Sequence, residues 1–282
     1  MSELRYVYAV CGSLDAPLAA DLTGVAGAAP HVLHHVGLTA VVSPVPAEEF
    51  SEDALRRNLE SLDWLSDTAR AHQRVLGALA SVASPLPLRL ATVFRDDSGV
   101  RAMLEEQAER FRASLDRIDG RVEWGVKVYV EEPEASPDAG SGAGSGARSG
   151  QGRTSADSLA AGSGRDYLRR RRAERSGREE VWRRAEGFAQ SLHDELSRQA
   201  HETCLHPPQN PELARTTGRN ILNAAYLVER STSEAFMEAV DRHKDEQPGL
   251  RVELTGPWAA YSFSQPPEER QDGSPASVSE VS

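Results

Sequence analysis

Residues 122–130, VEWGVKVYV, alternate strictly, with Val122, Trp124, Val126, Val128 and Val130 on one side and Glu123, Gly125, Lys127 and Tyr129 on the other. A period of two, with β-branched and aromatic residues on one side, specifies a strand with one buried face. The segment after it is opposite in character. Glu131 to Gly164 is dominated by Gly, Ser, Ala, Pro and acidic residues, with almost no large apolar side chain to offset the entropy of ordering it. The strand therefore closes a first domain, residues 1–130, and residues 131–164 read as a flexible Gly/Ser-rich linker to a second.

Working back from that strand, Val100, Leu104, Phe111, Leu115 and Ile118 form the buried face of a helix that Asp97 or Ser98 starts and Gly120 ends. Before it, Leu86, Leu88, Leu90, Thr92 and Phe94 alternate as a strand. Leu55, Leu59, Leu62, Leu65, Ala69, His72, Leu76 and Leu79 recur at helical spacing and predict one amphipathic helix. His31–Val36 and Leu38–Val42 flank Gly37 as a hairpin, which Pro44 and Pro46 are expected to end. Leu4–Val10 is a buried strand running into Cys11-Gly12, and Ala16–Leu22 is expected to make a short helix before the hairpin.

On the other side of the linker, residues 165–264 read as a second domain. Arg165–Leu205 is a long helix, Arg-rich at first and then amphipathic through Val181, Ala185, Phe188, Leu192 and Leu196. Ile221–Val228 is a strand, and a helix through Phe236, Met237 and Val240 follows. Leu250, Val252 and Leu254 begin a β pattern that Trp258–Phe263 extends. Residues 265–282 are polar, Pro-rich and acidic, a disordered tail. The fold class is α+β.

The chain has 282 residues and a formal net charge of −11, which disfavours general attraction to nucleic acid or anionic lipid. No stretch approaches the roughly 18 apolar residues of a membrane span, and there is no secretory leader pattern. Two distant cysteines suit a reduced, cytoplasmic protein. No cofactor or metal is expected.

Several residues invite a chemical reading. His201, Cys204 and His206 could ligate zinc but lack a fourth ligand. Cys11, before Gly12-Ser13, could present a nucleophile, although a small buried hydrophobe is the commoner outcome. His72 lies on an apolar helical stripe, and at most one of His34 and His35 faces a core. Gly140–Gly146 misses the G-x-G-x-x-G spacing of a phosphate loop. Arg165, Arg169–Arg172, Arg175, Arg178, Arg183 and Arg184 could bind nucleic acid, but interleaved Glu174, Glu179, Glu180 and Glu186 point to an ion-paired solvated face or a protein contact.

Four stretches resemble a known family: Tyr6–Val10 (YVYAV), His72 through Pro87–Phe94 (PLRLATVF), Glu123–Val130 (EWGVKVYV) and Leu254–Phe263 (LTGPWAAYSF). They resemble the gas vesicle accessory proteins of the F/L type (GvpF/GvpL), which the sequence departs from at Leu90-Ala91, where that family more often shows Phe-Gly. The resemblance implies an N-terminal modified ferredoxin-like domain followed by a C-terminal α+β domain with a long helix. It also implies a minor gas vesicle protein that binds the hydrophobic shell protein GvpA and other accessory Gvp proteins during nucleation and prevents aggregation, with no catalytic residues. Val181, Phe188 and Leu192 are then the expected partner contact. The alternative is a small-molecule-binding or enzymatic protein using a cleft between the domains.

Overall fold

The structure, a computed structural model, describes residues 2–14, 16–131, 157–208, 218–244 and 246–264. Most of the expected linker and the whole expected tail, residues 265–282, lie outside the described residues. The first sheet is built from β1 (Glu3–Cys11), β2 (His31–His35), β3 (Leu38–Pro46), β4 (Leu86–Pro87) and β5 (Val93–Phe94), with α1 (Ala47–Phe50), α2 (Glu52–Asn58) and α3 (Leu62–Ala80) between β3 and β4. Its order is β2-β3-β1-β4, with β5 also on β1 and every pairing antiparallel. The hairpin turns at Val36-Gly37, whose φ angles of 45° and 74° give the mirror-image turn that matches strand twist.

Three local expectations are corrected here. Pro44 and Pro46 lie inside β3, because β2 pairs only as far as Val42 and the prolines occupy the part of β3 with one open edge. The single helix of residues 55–79 is two, since the Ser61 hydroxyl accepts from the Trp64 N–H and caps a new start, leaving Leu59 and Leu62 exposed. The strand of residues 86–94 is two short pieces, interrupted by a turn in which Ala91 has φ 62°. That left-handed position is one glycine adopts more readily than alanine.

Next come α4 (Asp97–Glu106) and α5 (Ala108–Ile118), a pair where one helix was expected, with the Asp96 carboxylate capping α4 through Ser98 N and Gly99 N. Then β6 (Arg121–Val130) enters a second sheet with β7 (Glu202–Leu205), β8 (Arg219–Glu229) and β9 (Leu250–Trp258). The order is β7-β8-β6-β9, again antiparallel throughout. The strand grouped by sequence with residues 1–130 therefore starts the second unit, and the division falls between α5 and β6. Alternation reports that one face of a strand is buried, not which strands lie beside it. Trp124 is buried as expected, but among Val126, Val128, Tyr226, Leu192 and Phe236 of the second core.

Helix α6 runs Asp157–Ser197, and α7 runs Ser233–His243. The first of these begins before the expected Arg165, where Leu159-Ala160-Ala161 favours helix, and stops before the expected Leu205. Residues 202–205 pair with β8 instead, and the His201 N–H already donates to Leu227 O. After β9 the expected β run through Phe263 becomes a short 3-10 turn, Tyr261–Phe263.

Both sheets thus follow one path. Numbered within its unit, each has the order 4-1-3-2 of a ferredoxin-like β-α-β-β-α-β unit. The second unit carries both crossover helices, α6 and α7. The first has α3 in its second crossover, but among the described residues of its first only a 3-10 turn, Val25–Gly27, forms. The short helix expected at Ala16–Leu22 is turn and coil, where Pro17 and Gly24 cut the run short, and this is how the ferredoxin-like fold is modified.

Three apolar clusters hold the chain together. Val75, Leu76 and Leu79 of α3 cover Tyr6, Tyr8 and Val41 on one face of the first sheet. On its other face, Val7, Val10, Ala40 and Val42 meet Val100, Leu104, Phe111 and Ile118, and the same cluster takes in Ala225 and Leu227 from the second sheet and Phe263 from the C-terminal turn. Each buried Val, Leu, Ile or Phe among them contributes about 1.5–3 kcal/mol by leaving water. Helices α4 and α5 therefore join the units through shared core. Cutting the chain at a protease site inserted within residues 140–146 is expected to give two fragments on a denaturing gel but one species of uncut size on gel filtration. Separation into two folded bodies would show that β6 is not shared with β8 and β9.

Candidate partner-binding site

The helical spacing of Ala185, Ala189, Leu192 and Leu196 puts all four on the second sheet, each 6% exposed or less. Of the three expected contact residues, Leu192 belongs to this core at 1% exposure and cannot also face a partner. Its place in the amphipathic stripe gave no way to tell core from contact. Phe188 is half-buried at the rim, with its ring edge-on to His243 at 6.0 Å. Val181, about two turns further out, is 43% exposed. Beside them Trp182 is half-buried under the Arg219 guanidinium, 4.7 Å from the ring centre.

Phe188 and Leu192 line a cleft of about 290 Å³ between α6 and α7, closed by Glu195, His243 and Glu246. His243 Nε2 lies 3.0 Å from Glu195, and its Nδ1 bonds Glu246. Burial lowers the affinity of this imidazole for a proton, but the two carboxylates outweigh it and hold the pKa above the ordinary value. The cluster is an ion-paired clamp between the two helices.

The Arg-rich stretch is exposed at Arg169, Arg171, Arg172, Arg175, Arg183 and Arg184. Arg175 pairs with Glu179 at 3.2 Å and Arg183 with Glu180 at 3.7 Å, so at these positions the charges balance locally on a solvated face. Gly140–Gly146 lie outside the described residues.

The remaining chemical candidates resolve into structural roles. Burial pushes the Cys11 thiol up to about 12, opposite to what a nucleophile needs. His34 Nδ1 bonds the Thr39 hydroxyl at 3.0 Å, and His35 sits 3.6 Å from Glu105. His206 Nε2 bonds the Ser262 hydroxyl at 3.0 Å, and Ser262 donates to Glu123 Oε1 at 2.7 Å through its hydroxyl and to Oε2 at 2.8 Å through its backbone N–H. Serine, histidine and acid are all present, yet the serine stands in the middle. A hydroxyl-activating triad needs the histidine between the other two. Glu123, 8% exposed, was read only as the polar side of a strand, and it ties the C-terminal turn to β6. Among the described residues no cluster of three or more His, Cys, Asp or Glu could hold a metal ion. No described helix is long and apolar enough to cross a membrane.

A cleft of about 560 Å³ does lie where the two units meet, lined by Ser13, Ser81, Ser84, Asp116, Asp119 and Arg230. Several of its polar groups are already bonded: Ser84 donates to Asp119 at 3.2 Å, Ser81 to Ala78 O at 2.7 Å, and Arg230 Nη2 to Ala83 O at 3.4 Å.

Comparison with known proteins adds what geometry does not carry. Residues 4–265 match the family described as gas vesicle synthesis protein GvpL/GvpF. The chain is 50% identical over 267 residues to gas vesicle protein L of Streptomyces sp. (strain CB03234), covering 95% of each. To gas vesicle protein F of the same organism it is 28% identical, covering 92% of this chain and 98% of the other. The crystal structure of GvpF from Microcystis aeruginosa superposes with a TM-score of 0.62 at 19% identity, over 94% of this chain and all of that one, a likeness of fold.

The histidine of the first unit makes a measurable statement. The Tyr6 hydroxyl accepts from Ala91 N–H at 3.2 Å and so donates to His72 Nδ1 at 2.8 Å, while His72 Nε2 has no partner among the described residues. Burial draws the His72 pKa from 6.5 down to about 4. Between those values the unfolded chain takes up a proton that the native state refuses. The contribution is whole above pH 6.5 and falls as pH drops toward 4, by at most about 1.4 kcal/mol per unit. Urea unfolding at pH 7 and pH 5.5 is expected to show wild type losing about 1 kcal/mol more than His72→Gln. Equal losses in both proteins would mean that His72 is solvated.

Proposed function

The chain belongs to the GvpL/GvpF family of gas vesicle synthesis proteins, and from that premise we propose that it holds other gas vesicle proteins, the shell protein GvpA among them, while the vesicle is assembled. The observation that carries this reading is the match over residues 4–265 together with 50% identity to a gas vesicle protein L. A shell protein that will line a gas space must expose strongly apolar surface before it is incorporated, and such surface aggregates in water. A protein that shields it needs apolar side chains left partly open in its free state. Val181 and the outer edge of Phe188 supply such a rim, on a 41-residue helix whose first buried side chain among those described is Ala185.

Co-expression is expected to raise the soluble fraction of the shell protein and to let the two co-purify. Val181→Glu is expected to weaken co-purification at least several-fold with an unchanged thermal midpoint, because the side chain is exposed. Phe188→Glu is expected to do the same with a modest loss of stability from the half-buried ring. A shell protein that stays insoluble regardless of co-expression, with no co-purification, would leave a scaffold for the other accessory proteins instead.

A further inference from the structure

The two units share a path but not a complement of helices. In the second, the crossover from β6 to β7 carries α6, which lays Ala189, Leu192 and Leu196 on the sheet and bonds it through His193 Nδ1 and the Tyr226 hydroxyl at 2.8 Å. In the first, the corresponding crossover is residues 12–30, with no α-helix among its described residues. Its 3-10 turn closes part of the seat, where Val25 N–H donates to the Tyr8 hydroxyl at 2.7 Å. The remainder, over β2, is an open trough of about 830 Å³ lined by Leu14, Pro17, Leu18, Val32, His34 and Val36.

Register fixes which face this is. Val32 stands opposite Val41, and Val41 lies in the cluster under α3. Crossover helices of a ferredoxin-like unit lie on one side of its sheet, so Val32 faces the side where the missing helix would be. Val32 and Val36 are each 37% exposed. The five residues of β2 span about 17 Å, close to three turns of α-helix at about 5.4 Å each.

Val36 is a second, independent observation. It occupies the first central position of the hairpin turn at φ 45°, a conformation that suits Asn, Asp or Gly and crowds a β-branched side chain. An exposed valine there is unfavourable for the backbone and for the solvent, and contact with an apolar partner removes the second of these.

We propose that this trough seats an amphipathic α-helix from another gas vesicle protein, which completes the first unit as α6 completes the second. The seat follows from the topology, and the choice of donor rests on the function proposed above. The occupant presents apolar side chains at i, i+3 or i+4, and i+7 to Leu14, Leu18, Val32 and Val36, with His34 as polar rim.

The test places a photo-crosslinking amino acid, p-benzoylphenylalanine, at Val32 or at Val36 of the full chain, co-expressed with a complete set of gas vesicle genes. A parallel sample carries it at Val181. The expected result is crosslinks from Val32 and Val36 to one segment of another gas vesicle protein, at sites three or four residues apart. The double variant Val32→Asp, Val36→Asp should lower the yield of that complex at least tenfold with an unchanged thermal midpoint. Crosslinks at every second residue of a segment, or to a second copy of this chain, overturn the helix. Absence of crosslinks at Val32 and Val36, while gas vesicle proteins still co-purify or crosslink at Val181, overturns the seat and leaves the proposed function standing. Failure of any gas vesicle protein to associate overturns both.

Discussion

The pairing of β6 between β8 and β9 is the constraint on which the second half of the molecule depends. Val126 stands opposite Ala224 on one side and Leu254 on the other, so removing β6 would leave β9 without a partner and α6 and α7 without Trp124, Val126 and Val128 beneath them. The approach to β9 is close. A Cβ at Gly125 would lie 2.6 Å from the Thr255 hydroxyl, so the residue that looks like a weak spot in the strand is required by its neighbour. The back of the same strand presents Glu123, whose two oxygens accept from Ser262. Those bonds hold Ala260 and Phe263 in the cluster shared with the first unit. One strand thus organises a sheet and also fixes the chain end that helps join the two units.

Repetition explains the layout more simply than two unrelated domains do. Each sheet needs its two faces covered, because an uncovered apolar face is unfavourable by about 25 cal/mol per Å². For the second sheet, α6 and α7 cover one face, and part of the other meets the cluster around α4 and α5. The first sheet is covered by α3 and by the same shared cluster, but the loop that replaces its first crossover helix leaves the part over β2 open. The same omission that modifies the ferredoxin-like fold leaves an open apolar trough of about 830 Å³.

Much of this was legible in the residues. The β2–β3 hairpin follows from alternation on either side of Gly37, and the burial of Trp124 from its spacing with Val122, Val126 and Val128. The family was legible from four stretches whose order spans the chain, and with it the expectation of a modified ferredoxin-like unit. What stayed hidden was non-local. Nothing within residues 121–130 states that Tyr226 and Leu254 are its neighbours. Helix breaks were also missed, because Leu59 and Leu62 fit a 3.6-residue period yet fall at a chain break set by the Ser61 cap. Leu192 was assigned to a contact for the related reason that an apolar stripe looks the same whether protein or partner covers it. The trough at Val32 and Val36 is defined by a crossover helix that residues 16–22 suggest but do not form, and only the second unit shows what it would have covered.

The central claim is that the two repeated units share one core through α4 and α5, and 19F NMR of the chain labelled with 5-fluorotryptophan tests it most directly. Trp64, 5.5 Å from Phe50 in the first unit, and Trp124, in the second core, report separately through a urea titration of the unaltered sequence. Coincident loss of the two native resonances is the expected result, because neither unit can leave the cluster of Val100, Phe111, Ala225 and Phe263 without exposing the other's apolar surface. Two separated transitions, with Trp124 native after Trp64 has unfolded, would show two independent domains and contradict the shared core.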